Sequence, residues 1–379
     1  MGAEGYQTTA REGVSSRSTV RTAALAFAAL LTSACASTEV ADGFASQPDA
    51  TVPTFDLGPV PDLGVDDAPR VYAVDAGAPA DLAPLPEAGT TTGATGPFPI
   101  VLVHGFAGFR SIGPLTYFYQ VPEDLRRRGE TVYDPELPPF APSSERAPVL
   151  AEAVRRAIAE TGRPKVVLIA HSQGGLDARY LISTLGYGDR VAALVTVSTP
   201  HRGTRLGDAV SSLLPGVSDV VVNTLTTAFA SVYNGAPGAA QLRASLVALS
   251  EGASADFNAR NPDDPRVRYY SVAGRSNRRD GSAVCGDALV PNDPGARDNP
   301  NLLIAALMPF LEGTDPTHNV NDGLVTVRSA RWGTFIGCVP ADHFDEVGQI
   351  AEMGPNGESG FDHIALYRDL VHRVRADGF

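Results

Sequence analysis

Positive charge is scarce in this 379-residue chain, where 30 Lys and Arg stand against 43 Asp and Glu for a formal net charge of −13. A surface of that sign does not neutralise phosphates, so nucleic acid is excluded as a partner. A long apolar run is also missing. The apolar stretch 23–31 near the N terminus is too short to cross a bilayer. Internal repeats are absent as well, which removes the solenoid and propeller architectures. Cysteine occurs only three times, at Cys35, Cys285 and Cys338.

The short apolar run has a different use. Arg11, Arg17 and Arg21 precede it and Ala34-Cys35-Ala36 follows it, the layout of an export signal over residues 1–36. Two processing routes fit: cleavage after Ala36, or a lipoprotein-type signal that leaves Cys35 as a lipidated N terminus, with Thr32 where Leu is usual. Both take the protein out of the cytoplasm, as a secreted protein or an outer-surface lipoprotein. Residues 37–96 carry ten acidic side chains, one basic one and eight prolines, without helical or strand periodicity. Such a segment cannot bury enough apolar surface to order itself and reads as an extended tether. Its net −9 accounts for most of the acidity of the chain.

From Pro97 the character changes. Ile100 to Val103 and Val166 to Ile169 are short apolar runs suited to strands buried on both faces. "RVAALVTV" and "RVRYYSVAG" are two more, and "ETVYDPEL" suggests a further strand. Between them lie a short helix at 122–128 and an amphipathic helix in "SSERAPVLAEAVRRAIAETG". Ser144 is placed to cap that helix, Leu150, Val154 and Ile158 to line its inner face, and Gly162 to end it. Alternating strands and helices over residues 97–379 predict an α/β fold with a mostly parallel, doubly wound sheet. Residues 205–258 break the rhythm: they hold no strand pattern, and Val217, Val221, Leu225 and Phe229 recur every fourth residue. Two readings stand there, a core-packing helix or a helical lid inserted above the sheet.

The chemistry centres on "KVVLIAHSQGGLDARY". Ser172 sits at the seam of a strand and a helix, beside Gly174, Gly175 and Ala170. Small neighbours are what a strained strand-to-helix turn needs to hold a hydroxyl clear of the sheet. A serine nucleophile requires a base, and the base an orienting acid, in the chain order Ser, Asp or Glu, His. Asp322, in the turn of "NDGLV", and His343, 21 residues on, satisfy that order and make Ser172, Asp322 and His343 the leading triad. His363, near a helix start in "GFDHIAL", is the alternative base. His104, His171 and His201 read as structural and His372 as solvated. The oxyanion of acyl transfer needs backbone donors. Gln173 N–H at the helix start and Phe106 N–H in "HGFAG" are placed for it.

These stretches, with "VPEDLRRRGETVY", "VSTPHRGT", "ADFNARNP" and "HFDEVGQ", occur in family order over residues 97–375. The chain resembles the secreted true lipases of the Pseudomonas/Burkholderia type, within the α/β-hydrolase fold. The resemblance implies triacylglycerol lipase activity on long-chain acylglycerols at a lipid–water interface, a mobile lid, a lipase-specific folding chaperone and a structural calcium. It gives the calcium ligands as the carboxylates of Asp298 and Asp345 with the backbone oxygens of Gln349 and Met353; Asp298 also reads as a helix N-cap with Pro300 in the first turn. Where the family usually has Gly, this chain has Ala170. The family disulfide positions hold no Cys before "YYSVAG" and Ser329 after "NDGLV", while Cys285 and Cys338 are both displaced downstream, which fits a relocated disulfide, with two free thiols as the alternative. An esterase for short-chain or polyester substrates, and a catalytically silent surface lipoprotein, are the alternatives on the same scaffold.

Overall fold

The computed structural model describes residues 96–112, 115–211, 217–230, 239–276, 282–285, 298–349, 356–357 and 359–379. All fall in one compact unit, Gly77–Phe379. The expected export signal, tether, Cys35 and Met353 lie outside the described residues.

Six strands form one parallel sheet: β1 (Ile100–Val103), β4 (Val132–Tyr133), β5 (Val166–His171), β6 (Val191–Val197), β7 (Arg268–Gly274) and β8 (Thr334–Val339), in the order β4-β1-β5-β6-β7-β8. A two-stranded hairpin, β2 (Ser111–Ile112) with β3 (Leu115–Thr116), stands apart. Side chains alternate across a strand, so the continuous apolar runs feed two cores. Ile100, Leu102, Val167 and Ile169 pack with Val121, Leu125, Leu366 and Leu370 from the helices Val121–Arg127 and His363–Ala376. Val101, Val103, Leu168 and Ala170 pack on the other face with Leu150, Val154, Leu181 and Ile182 from Ser143–Thr161 and Gly174–Ser183. Each fully buried Leu, Ile or Val is worth roughly 1.5–3 kcal/mol over an exposed one.

One local expectation needs revision, and one strand is added. The long helix begins at Ser143 with Pro142 as its N-cap, so Ser144 lies inside the first turn and does not cap it. Pro142 already holds the extended cap conformation, and its carbonyl accepts from Glu145 N and Arg146 N. Gly162 does end the helix, at φ +65°. The edge strand β8 was not anticipated. Gly337, at φ +147°, and a register shift opposite Ser271/Val272 interrupt its apolar pattern. Residues 205–258 form helices Arg205–Ser211, Val217–Ala230, Ala239–Ala248 and most of Glu251–Arg260. Val221 and Leu225 are buried with Leu206, Leu242, Leu246 and Leu307, and this cluster reaches Ala107 and Phe344 at the edge of the site. The side chains of Val217 and Phe229 lie outside the described residues. No helix among the described residues is long and apolar enough to cross a membrane.

Candidate active site

The register brings Ala170 of β5 beside Val103 of β1, and His171 beside Val197 of β6, so the turns after these strands gather at one sheet edge. Ligands of doubly wound sheets bind at this carboxyl edge. Ser172 follows β5 with φ +55°, a left-handed conformation that few non-glycine residues adopt and that costs of order 1–2 kcal/mol. The surroundings hold it there. Ser172 N–H donates to Val197 O at 2.9 Å, and Thr199 Oγ1 donates to Ser172 O at 2.7 Å.

The glycines around it are fixed by space. A Cβ on Gly105 would lie 2.6 Å from Ser172 Cβ, and one on Gly174 2.5 Å from Val103 O. The strand, the Gly105 turn and the helix therefore meet at backbone distance. The helix Gly174–Ser183 starts at once after Gln173, whose backbone N–H sits at its positive end.

Asp322 and His343 come from separate segments and meet. His343 Nδ1 is 2.8 Å from Asp322 Oδ2, and His343 N–H donates to Asp322 O at 2.9 Å. Asp322 Oδ1 accepts from Leu324 N and Val325 N at 2.9 and 2.7 Å, which leaves Oδ2 for the imidazole. A carboxylate on Nδ1 keeps the proton there and leaves Nε2 as an acceptor. Asp322 is fully buried and His343 is 4% exposed. Ser172 and His343 border one cavity, lined otherwise by Phe106, Ala107, Phe109, Tyr117, His171, Leu324, Phe344, Val347 and Gln349. His363 does not line that cavity: its Nε2 is 2.9 Å from Tyr119 O, and burial lowers its pKa.

Four residues of the site carry no local sequence signal for their roles. Arg146, fully buried, bonds Asp177 Oδ2 at 2.7 Å, His104 O at 2.7 Å, Gly105 O at 3.1 Å and Pro138 O at 2.6 Å. Glu346, also fully buried, bonds His171 Nε2 at 3.0 Å and accepts from Ser198 Oγ at 2.5 Å. Burial raises the Glu346 pKa well above the usual carboxylate range and lowers that of His171 well below its ordinary value. Tyr117 Oη lies 2.7 Å from His171 Nδ1. His104, read as structural, is buried. Burial, and then the nearby Arg146 charge, lowers its pKa to about 3, while its Nε2 accepts from Leu137 N. His201 is buried beside Thr196, and His372 is exposed.

Asp298 and Asp345 lie together, and Asp342 joins them, with one carboxylate oxygen from each within 4.8 Å of the others. All three are buried. Asn356 Nδ2 donates to Asp298 Oδ1 at 2.9 Å and Asp345 Oδ2 at 3.4 Å, and Ser276 Oγ donates to Asp298 Oδ2 at 2.6 Å. Gln349 turns its side chain the other way, donating to Tyr117 O at 2.7 Å. Cys285 and Cys338 are joined as a disulfide.

Fold and site together define an α/β hydrolase. A family model for the alpha/beta hydrolase fold matches residues 99–243. A triacylglycerol lipase of Vibrio cholerae is 30% identical over 301 residues, covering 74% of this chain and 88% of that protein. A triacylglycerol lipase of Burkholderia plantarii is 28% identical over 324 residues, 74% of this chain and 87% of that one. Among solved structures, a metagenomic carboxyl esterase shares the fold with a TM-score of 0.54 at 21% identity, over 74% of this chain and 76% of that one. The chain belongs to the triacylglycerol lipase family of α/β hydrolases, and its reaction class is lipase-type ester hydrolysis.

Proposed function

We propose that this protein hydrolyses the ester bonds of acylglycerols through an acyl-enzyme on Ser172, with His343 as base and Asp322 as its orienting acid. One observation carries the reading: Ser172, on its left-handed turn, borders the same cavity as a histidine whose Nδ1 is held 2.8 Å from a buried carboxylate. His343 Nε2 takes the Ser172 Oγ proton as Oγ attacks the ester carbon. The oxyanion is received by the N–H groups of Phe106 and Gln173, and His343 then returns the proton to the departing alcohol. Water, deprotonated by His343, attacks the acyl-enzyme, and His343 passes that proton to Ser172 Oγ as the carboxylic acid leaves. Asp322 stabilises the imidazolium formed in each step. The apolar lining of the cavity suits an acyl chain, and the helices of residues 205–258 supply the lid of this reading.

Ser172→Ala is expected to abolish hydrolysis by several orders of magnitude without unfolding the protein. Assay on p-nitrophenyl esters of graded chain length tests both points of the proposal. Activity near wild type in the variant would remove the serine assignment. A wild-type preference confined to the shortest esters would move the substrate class to a short-chain esterase.

A calcium ion belongs to the same reading. Three buried carboxylates drawn together offer the hard oxygens that calcium takes, and their mutual repulsion calls for a cation. Asp298, Asp345 and the Gln349 carbonyl would hold it, with Asp342 as an unanticipated third carboxylate, and it would supply charge neutralisation that braces the His343 segment. Export through residues 1–36, the tether 37–96, use of a folding chaperone and the secreted or surface location complete the proposal. Refolding of the chain with and without candidate chaperone fractions tests the chaperone.

A further inference from the structure

A planar trans peptide points its C=O and N–H in opposite directions. Phe106 N–H therefore belongs to the same rigid unit as Gly105 C=O, and its aim is set by what holds that unit. Arg146 Nη2 takes Gly105 O and His104 O from one side. The preceding peptide is taken from the other side, because Gly105 N–H donates to Tyr117 Oη at 3.1 Å. We propose that Tyr117 is a positioning residue for the oxyanion turn, its hydroxyl pinned by His171 so that Gly105, and through it Phe106 N–H, keeps its aim at the developing oxyanion. This rests on the reading of Ser172 as nucleophile and Phe106 as donor.

The support behind Tyr117 is continuous. Its Oη is 2.7 Å from His171 Nδ1, and His171 Nε2 is 3.0 Å from the buried Glu346. Glu346 in turn holds Ser198 Oγ, which accepts from Gly274 N at 2.9 Å, so the line ends on the backbone of β7. The Tyr117 carbonyl is also stitched to the His343 segment by Gln349 Nε2 at 2.7 Å, and two residues on Tyr119 N–H donates to Val347 O at 3.0 Å. There is no slack around the turn, since a Cβ on Gly105 would come within 2.9 Å of Tyr117 Oη. One side chain thus ties the oxyanion turn to the segment that carries the base.

The test is Tyr117→Phe, which keeps the ring and removes the hydroxyl. A donor displaced by a fraction of an ångström loses transition-state binding and leaves ground-state binding alone. The expected result is a fall in kcat of about tenfold, with KM within about twofold of wild type. Affinity for an alkyl boronic acid, a tetrahedral analogue, should fall by the same factor as kcat/KM. The loss should be equal for acetyl, butanoyl and octanoyl esters, because it acts at the carbonyl. Unchanged kcat, or a loss that appears in KM and grows with acyl length, overturns the clamp and leaves Tyr117 as a wall of the acyl cavity. Ser172→Ala assayed alongside separates the readings: if it is inactive while Tyr117→Phe is normal, only the clamp fails, and if it is active the nucleophile assignment fails first. A second pair keeps the proposal testable should Tyr117→Phe not fold. His171→Asn retains an amide where Nδ1 stood and should recover most of the activity lost in His171→Leu, whereas equal loss in both refutes the pinning of the hydroxyl.

Discussion

Replacing Arg146 with Met removes the most heavily used side chain beneath the site. Arg146 and Asp177 are both fully buried and 2.7 Å apart, and the same guanidinium serves three backbone carbonyls. Breaking a buried pair by removing one member costs about 3–5 kcal/mol, because a charge is left without its partner. Burial already raises the Asp177 pKa against the pull of Arg146, so without Arg146 the carboxyl takes up a proton, which limits the cost. A domain of about 280 residues has an unfolding entropy near 0.6 kcal/mol/K, so a loss of about 4 kcal/mol lowers Tm by about 7 °C. Calorimetry and urea titration measure it. The companion variant Arg146→Met/Asp177→Leu should regain most of the stability, since no buried charge remains, yet stay impaired in kcat, since His104 O and Gly105 O are no longer held. A single-variant loss under about 1 kcal/mol, or full activity in the double variant, would refute the argument.

Three further expectations follow from the same structure. The folded pKa of His104, about 3, lies below its unfolded value of 6.5, so the unfolded chain binds more protons in between, and stability is intact above pH 6.5 and lost as pH falls. At pH 5 this amounts to about 2 kcal/mol. The raised pKa values of Glu346 and Asp177 act with the opposite sign, so the measurement is the difference in pH dependence between wild type and His104→Gln, and parallel curves would defeat it. The Cys285–Cys338 bond closes a 53-residue separation, and the double Cys→Ala variant should lose about 4 kcal/mol in urea titration; a loss below about 1 kcal/mol would show the bond to be dispensable. Chelation should lower Tm before it lowers activity, and Asp345→Asn should mimic it and respond little to further chelator; a Tm indifferent to chelator in protein free of calcium by elemental analysis would dispose of the site.

Local patterns carried the parts of the molecule that a few neighbouring residues decide. The runs at Ile100–Val103, Val166–His171, Val191–Val197 and Arg268–Gly274 are strands because β-branched and apolar residues buried on both faces leave no other signature. The small neighbours of Ser172 mark a strained turn, which the structure shows at φ +55°, and chain order pairs Asp322 with His343, which the structure brings to 2.8 Å. Arg146, Tyr117, His171 and Glu346 were not legible in these roles, because each acts through partners distant in sequence: 31 residues for Arg146–Asp177, 54 for Tyr117–His171, and 175 for His171–Glu346. Nothing next to Glu346 in the chain says that a histidine will meet it. The same holds for Asp342, whose neighbours mark only a loop before His343.

The departure at Ala170 shows which small residues the turn around Ser172 requires. Ala170 is a strand residue, paired with Val103 and Thr196, and its methyl joins the apolar cluster with Leu150, Ala178 and Leu181. A methyl there packs against carbon, so Gly and Ala are both accommodated. At Gly174 and Gly175 the same methyl would meet Val103 O at 2.5 Å and Thr199 Oγ1 at 2.1 Å. Thr199 Oγ1 cannot retreat without releasing its bond to Ser172 O, which helps hold the strained serine. Constraint thus falls on the side of the turn where the helix begins, because there the backbone of β1 and the Thr199 hydroxyl already fill the space a side chain would need.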